Sequence, residues 1–282
     1  MKDPDTAQSR CWIDGRRVVE ASTTAPGTGH FTSLQLRGGA MQGFDLHLAR
    51  LRRDHLAIFA TPLSDALLAA ALMPVTDDPA AVDATLRIAI APTAAGMTPR
   101  IHVSLLPPRP VPAAPVRLTA VVHRRSHPLR KHDDIGAQQQ LQAQARCAGF
   151  DDVLMLDDAG QVLEGTFWNL VACRQGQLLW PEGPSLHGVA QQLLQRALLE
   201  AGIAQRSLPL PAQALSAADA VFAMNARGVW AVASIDDRRF RLDDHALSRM
   251  RQLLAAQPWC RLADAASTLA KPSRCENQAA VG

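Results

Sequence analysis

The stretch GFDDVLMLDDAGQVLEGTFWNL, residues 149–170, decides the fold of this chain. Its first half predicts a short strand over residues 152–157, followed by the turn signal Asp158-Ala159-Gly160. A second strand over residues 161–173 continues past Glu164 and Gly165. A carboxylate followed by glycine within a strand is unusual for plain packing, and we interpret Gly165 as the place where a flat ligand ring approaches the backbone.

Lysine is rare in this chain. Of 29 Lys and Arg residues only three are lysines, Lys2, Lys131 and Lys271, and Lys131 alone lies away from the ends. An amine can lose its proton and act as a nucleophile, whereas an arginine guanidinium cannot. Lys131 follows a predicted strand over 116–123 and precedes a predicted helix over 137–148, where it could project into a cleft. The alternative is an ordinary surface charge.

Three further segments favour phosphate binding. The first is an arginine on a predicted helix from Phe44, and a guanidinium can contact phosphate with two nitrogens. The second is a helix start whose free N–H groups suit an anion. The third is a tight turn of small residues after a buried strand. The candidate residues are Arg50, Gly188, Val189, Ala190, Asn225, Ala226 and Arg227. Taken singly, each residue also fits a purely structural role, such as a solvated helix face or a simple turn.

The proline-rich segment PPRPVPAAP, residues 107–115, predicts a stiff connector between two domains. We expect a smaller N-terminal α+β domain over 1–106 and a larger C-terminal domain over 116–264 that carries Lys131. The tail, 265–282, is small, polar and aperiodic, which predicts disorder. Strands and helices are mixed without strict βαβ alternation, so the predicted class is α+β, or mixed α/β.

Composition excludes several function classes. The net charge is only +3 and the arginines are scattered, so no nucleic-acid partner is expected. No apolar run is long enough to span a bilayer and the N-terminus lacks a secretory pattern, so no membrane partner is expected. The five cysteines are odd in number and form no CxxC pair, which predicts free thiols, no metal site and a cytoplasmic location.

Together these segments resemble the class IV, or fold type IV, pyridoxal-phosphate-dependent aminotransferases. That family includes branched-chain and D-amino acid aminotransferases and aminodeoxychorismate lyases. The run FDLHLARL (44–51) resembles the family pattern FxLxxHLxRL, shortened before its His. The interval of 33 positions from Lys131 to Glu164 and the motif EGTFWN are similar to the family signature. The runs LHGVAQQLL (186–194) and ADAVFAMNARG (218–228) resemble the family's phosphate segments.

The resemblance implies a two-domain enzyme with pyridoxal 5'-phosphate in the interdomain cleft. It implies that Lys131 carries the cofactor as a Schiff base and moves the substrate proton, and that Glu164 binds the pyridine nitrogen. Arg50 and the main-chain amides of the two phosphate segments would hold the phosphate. The implied reaction moves an amino group between an amino acid and a 2-keto acid, in a homodimer. Two alternatives stay open: an aminodeoxychorismate lyase-like elimination, and an inactive cofactor-binding scaffold.

Three features depart from the family pattern. The chain contains no Tyr, although many members have one shortly after the lysine. Ala190 and Ala226 stand where some members have phosphate-binding threonines. The run PTAAGMTPR (92–100) lacks the Arg-Gly-Tyr-like element of the lyases. The family pattern therefore assigns no ligand to the substrate carboxylate, and the candidates are Arg100, His30, Arg37 and Arg227.

Overall fold

The computed structural model describes residues 9–19, 28–93 and 96–271. The chain divides into two compact units. The first unit is Met1–Arg109 together with Pro258–Gly282, and the second is Pro110–Gln257. The change from one unit to the other lies within the proline-rich segment 107–115. Each unit combines helices with sheets, and the predicted α+β class is confirmed.

The strands, in chain order, are β1 (Arg10–Ile13), β2 (Arg16–Val18), β3 (His30–Leu36), β4 (Ala40–Gln42), β5 (Ala84–Thr93), β6 (Gly96–Leu106), β7 (Val116–Val122), β8 (Asp152–Leu156), β9 (Val162–Gly165), β10 (Asn169–Arg174), β11 (Gln177–Pro181), β12 (Gln205–Leu208), β13 (Ala220–Asn225), β14 (Gly228–Ile235), β15 (Arg238–Arg239) and β16 (Trp259–Arg261). The helices are α1 (Phe44–Phe59), α2 (Asp65–Thr76), α3 (Gly136–Cys147), α4 (Val189–Glu200), α5 (Asp244–Ala255) and α6 (Leu262–Leu269).

The first unit contains a five-stranded antiparallel sheet in the order β2-β1-β6-β5-β3. From Thr32 onward strand β3 alternates: Thr32, Leu34 and Leu36 are buried, while the two residues between them are only partly covered. The hydrophobic core of the unit joins this sheet to α2, through Leu68 and Leu72. Apolar residues on one face of the sheet therefore anchor the helices.

Helix α1 differs from the expected pattern. The sequence predicts an apolar face of Phe44, Leu48, Leu51 and Leu56, but Leu56 is 54% exposed. Phe44 and Leu51 are buried as expected, but the buried face also carries polar side chains at helical spacing, namely His47, Arg50, Asp54 and His55. The prediction for Leu56 is wrong because the polar side chains of His47 and Arg50, which bond to Thr32 of β3, occupy the sheet side of the helix.

The C-terminal boundary also differs from the prediction. Residues 258–269 belong to the first unit rather than to the second, and the expected disorder from residue 265 is wrong as far as Leu269. Strand β16 pairs with β4, and α6 buries Leu262, Ala265 and Ala266 in the first core. Small residues indicated a tail in the sequence, yet small side chains are what a closely packed helix can bury. Residues 272–282 lie outside the described residues.

The second unit contains one large mixed sheet in the order β12-β11-β10-β13-β14-β7-β8-β9, with β15 added beside β14. Alternate residues of each strand enter two cores. On β10, Leu170 belongs to one hydrophobic cluster and Val171 to the other, which includes Leu194 of α4 and Met250 of α5. Burial on both faces makes the sheet a rigid support for the loops at its strand ends.

Within the described residues, no helix is both long and apolar enough to cross a membrane. The four cysteines in that part of the chain, Cys11, Cys147, Cys173 and Cys260, are free thiols.

The packing of α6 predicts the effect of truncating its first residue. Leu262 is 2% exposed and lies in the first core, so Leu262→Ala should lower the free energy of unfolding by about 2–4 kcal/mol. The matched control is Leu199→Ala, because Leu199 is 75% exposed and its loss should change stability by less than about 0.5 kcal/mol. Chemical denaturation measures both. Equal effects of the two substitutions would contradict the placement of α6.

Candidate functional site

Glu164, near the end of β9, has a buried carboxylate in the second unit. Two donors meet at its Oε1 atom: the main-chain N–H of Leu186 at 3.2 Å and Nη1 of Arg125 at 3.3 Å. Among the described residues no hydrogen bond is made to the other oxygen, Oε2. The carboxylate is thus held by one oxygen, and the second can accept a hydrogen bond from a ligand.

The pKa of Glu164 is raised from 4.5 to about 6, because burial disfavours its charged form. The positive charge of Arg125 is the main opposing influence, followed by the Leu186 N–H. Lys131 also lowers this pKa by its charge, so the predicted lysine and the predicted carboxylate interact electrostatically. Both residues belong to the second unit, where the structure brings them together.

The main chain beside Lys131 is tied to the same arginine. The carbonyl oxygen of Arg130 accepts a hydrogen bond of 2.8 Å from Nη2 of Arg125. Lys131 itself is half-buried, and the next residue, His132, is buried with its ring edge-on to His127 at 5.3 Å between centroids. Burial lowers the pKa of His132, with the charge of Arg125 contributing, which favours a neutral imidazole near the lysine.

The Glu164-Gly165 pair is explained differently from the sequence interpretation. A Cβ atom on Gly165 would lie 1.9 Å from a ring atom of Trp168, so the indole of the same turn occupies the space. Trp168 donates from Nε1 to Asp152 at 3.1 Å, and Thr166 donates to the same carboxylate at 2.7 Å. The interpretation of Gly165 as an approach for a ligand ring is wrong, because local turn packing requires the glycine.

The start of α4 has free hydrogen-bonding capacity. Its N-cap, Gly188, offers no side-chain cap, and Val189 and Ala190 form the first helical positions. Amides of a first helical turn have no partner within the helix and attract anions. A Cβ on Gly188 would lie 2.1 Å from Oδ1 of Asn169, whose Nδ2 donates to the Leu186 carbonyl at 2.8 Å. Close packing against Asn169 therefore requires glycine at this helix start.

The turn between β13 and β14 approaches the same segment. Asn225 donates from Nδ2 to the carbonyl oxygen of Phe167 at 3.1 Å. Its Oδ1 accepts the main-chain N–H of Arg227 at 2.9 Å, and the Arg227 guanidinium lies over the Trp230 ring, 5.1 Å from its centroid. Ala226 at the tip of the turn is exposed. Residues 164–169 thus join the Leu186 loop, the start of α4 and this turn.

Arg50, the remaining predicted phosphate ligand, lies in the first unit on α1. Its buried guanidinium contacts the hydroxyl of Thr32 and donates to Nδ1 of His47 at 3.2 Å. The Thr32 hydroxyl also lies 2.6 Å from that same ring nitrogen. Arg50 is therefore part of a buried polar cluster with Thr32 and His47, which fixes the direction of its side chain.

The candidates for binding the substrate carboxylate are engaged elsewhere or enclosed. His30 is fully buried, and burial, with the charges of His55 and Arg50, lowers its pKa to about 3. An enclosed imidazole is out of reach of a substrate, and an uncharged one offers no ionic attraction to a carboxylate at neutral pH, so His30 does not suit this role. Arg100 donates to Asp14 at 2.7 Å, and Arg37 donates to the Leu36 carbonyl oxygen at 2.7 Å.

Sequence reasoning missed Arg125. It directly follows Arg124 between a strand and a proline-containing loop, and nothing in the sequence separates the two. In the structure the Arg125 side chain is 5% exposed, whereas that of Arg124 is 49% exposed beside Asp157 and Asp158. What distinguishes Arg125 is its burial beside an acidic residue that is distant in sequence, and only the fold reveals it.

Within the described part of the chain, no group of three or more His, Cys, Asp or Glu side chains is arranged to hold a metal ion. The chemistry that this geometry supports is that of a lysine amine near a half-satisfied buried carboxylate, with anion-binding amides at the start of α4.

Comparison with known families agrees with this arrangement. The family model described as amino-transferase class IV matches residues 29–235. The chain belongs to this family. The match includes every predicted site residue from Arg50 to Arg227 in both units. No curated protein sequence matches this class IV chain significantly.

Solved structures show the same fold. A hypothetical aminotransferase from Mycobacterium tuberculosis in its PLP-bound form has a TM-score of 0.73 and 19% identity, covering 88% of this chain and 98% of that one. The branched-chain aminotransferase of Thermoproteus uzoniensis with norvaline has a TM-score of 0.76 and 22% identity, covering 87% and 95%. The 4-amino-4-deoxychorismate lyase of Pseudomonas aeruginosa has a TM-score of 0.72 and 26% identity, covering 87% and 98%.

The raised pKa of Glu164 predicts a pH-dependent stability of the cofactor-free class IV chain. Between pH 4.5 and about 6 the folded protein retains the Glu164 proton while the unfolded chain loses it. The free energy of unfolding should therefore fall as the pH rises through this window, by about 2 kcal/mol, and stay level above it. Chemical denaturation at several pH values measures this, and Glu164→Gln should remove the decline. The exposed Glu182→Gln is the control, and an unchanged decline in Glu164→Gln would contradict the prediction.

The contact at Gly188 predicts a cost for a single methyl group. Gly188→Ala should lower the free energy of unfolding by about 2 kcal/mol, because the new Cβ displaces Asn169 from the Leu186 carbonyl. Gly136→Ala is the matched control, since its Cβ would lie 3.9 Å from the nearest atom at the start of α3. Thermal and chemical denaturation compare the two. A stability of Gly188→Ala equal to that of the wild type would show that Asn169 is not held as described.

Proposed function

We propose that this chain is a pyridoxal-phosphate-dependent aminotransferase that moves an amino group between an amino acid and a 2-keto acid. The observation that carries the proposal is the buried Glu164 carboxylate, which has one oxygen anchored and interacts electrostatically with Lys131. A lysine amine and a carboxylate that can hold a protonated ring nitrogen are the two groups this cofactor needs most. Membership of the class IV family supports the same reaction type.

The residues present fit the cofactor. Oε2 of Glu164 can accept a hydrogen bond from a pyridine N–H, since Oε1 already has two donors. The uncapped start of α4 at Val189 and Ala190 suits a phosphate. The Asn225–Arg227 turn of the same unit is the further proposed phosphate ligand. Because Ala190 and Ala226 have no hydroxyl, the main-chain amides would supply most of the hydrogen bonds.

When bound, pyridoxal phosphate supplies the electron sink that makes the substrate α-carbon acidic. In this proposal Lys131 would hold the cofactor through Nζ, and the same amine, once released by the substrate, would move a proton to and from the substrate carbon. Glu164 holds the ring nitrogen and keeps it protonated, for which its carboxylate must be anionic. Burial of β9 in the sheet keeps that carboxylate in place, so it needs little rearrangement during turnover.

A lyase of the 4-amino-4-deoxychorismate type is the second candidate. The observation that favours it is the similarity to the Pseudomonas aeruginosa lyase, which is 26% identical over 87% of this chain. The same lysine and carboxylate would serve elimination.

We further propose that the protein is a homodimer, which light scattering coupled to size-exclusion chromatography would test.

The proposal predicts a covalent bond between cofactor and Lys131. Wild type incubated with pyridoxal phosphate should develop a visible absorbance band, and borohydride reduction should fix the cofactor on the peptide that contains Lys131. Lys131→Ala should show neither result. Lys271→Ala is the matched control, because Lys271 is an exposed lysine near the C-terminus, and it should behave like wild type.

Substrate additions then separate the candidates. Loss of the band with an amino acid, and its return with a 2-keto acid, identifies an aminotransferase. Release of pyruvate from aminodeoxychorismate identifies the lyase. A reducible band that responds to neither would leave only the cofactor-binding scaffold, and no band in wild type would overturn the proposal.

A further inference from the structure

Arg125 connects two parts of the site that lie far apart in sequence. It follows β7 by three residues, and its side chain is 5% exposed. Nη1 donates to the Glu164 carboxylate at 3.3 Å, and Nη2 donates to the carbonyl oxygen of Arg130 at 2.8 Å. Arg130 immediately precedes Lys131 in the chain.

The guanidinium is planar, and its two terminal nitrogens have a fixed separation. Two acceptors bonded to the same guanidinium are therefore held at a set distance from each other. One acceptor belongs to Glu164, and the other is the peptide group before Lys131. No other described side chain makes hydrogen bonds to both.

We propose that Arg125 is a positioning residue, which sets the distance between the Lys131 amine and the Glu164 carboxylate and reserves Oε2 of Glu164 for the cofactor ring. The inference rests on the proposed function, because it assigns Arg125 a purpose toward pyridoxal phosphate. Arg125 does not touch the reacting atoms in this scheme and acts through its two acceptors.

The hydrogen-bond distribution on Glu164 supports this role. Because Arg125 and the Leu186 N–H both donate to Oε1, the carboxylate cannot turn without breaking two bonds. The positive charge of Arg125 is also the largest influence that opposes protonation of this buried acid. The arginine thus acts on both the orientation and the charge of Glu164.

The burial of Arg125 is costly without these partners. A buried guanidinium must be paired, and Nε of Arg125 has no hydrogen-bond partner among the described residues. A purely structural cation would be better placed at the surface, as the preceding residue is. Arg124 lies 3.6 Å from Asp157 and 3.5 Å from Asp158 in partly exposed ion pairs, so it provides a matched control one position away.

The test compares Arg125→Lys, Arg125→Leu and Arg124→Leu with wild type. Each protein is incubated with pyridoxal phosphate, and three quantities are measured. They are the dissociation constant of the cofactor, the rate at which the bond to Lys131 forms, as trapped by borohydride, and the ¹⁵N chemical shift of cofactor labelled at its ring nitrogen. Thermal unfolding monitors folding. The ring-nitrogen shift reports protonation at Glu164, which a merely structural role of Arg125 would not change.

We expect Arg125→Leu to weaken cofactor binding and to slow bond formation at Lys131, each at least tenfold. The ¹⁵N shift should show that the pyridine nitrogen of the cofactor has lost its proton. Arg125→Lys keeps the charge but cannot bridge both acceptors with planar geometry. It should retain the ring proton in part and still form the bond more slowly. Arg124→Leu should match wild type. If Arg125→Leu does not fold, Arg125→Lys decides the question.

Wild-type values in Arg125→Lys for all three quantities would overturn the positioning role and leave the proposed function intact. Equal losses in Arg124→Leu would also overturn it, because the effect would then come from the loop as a whole. Absence of any trapped cofactor in wild type is a separate result, which would remove the proposed function itself.

Discussion

The buried carboxylate of Glu164 is the constraint on which the second unit's site depends. An acidic side chain taken out of water must find donors, and here one of its oxygens finds two, from Arg125 and from the main chain at Leu186. These bonds tie β9 to the loop before Lys131 on one side and to the loop before α4 on the other. The same desolvation raises the pKa of Glu164 to about 6, so its charge state depends on its neighbours.

The segment from Glu164 to Asn169 connects the buried carboxylate to the neighbouring loops through hydrogen bonds. Asn169 holds the Leu186 carbonyl oxygen and fills the space that a larger residue than Gly188 would need. The carbonyl oxygen of Phe167 accepts the Asn225 side chain. Six consecutive residues thus position a carboxylate, a helix start and a tight turn.

A comparable polar arrangement occurs in the first unit, on a helix face that hydrophobic periodicity misjudged. Arg50 bonds with His47 and contacts Thr32 of the neighbouring strand. Burial of a guanidinium costs free energy, so the partners of Arg50 on the helix and on the strand must hold it in place. Leu56 on the same helix is exposed as a consequence.

The sequence by itself determined the fold class and the family resemblance, and it singled out Lys131 and Glu164 as candidates, because motif spacing and the scarcity of lysine are properties of the chain alone. Only the tertiary structure decided that Arg125 rather than Arg124 is buried, that the Trp168 ring fills the space over Gly165, and that α6 joins the first core. The physical reason is the same in each case. Burial and hydrogen-bond partners are set by segments distant in sequence, and identical local patterns do not record which of them will be enclosed.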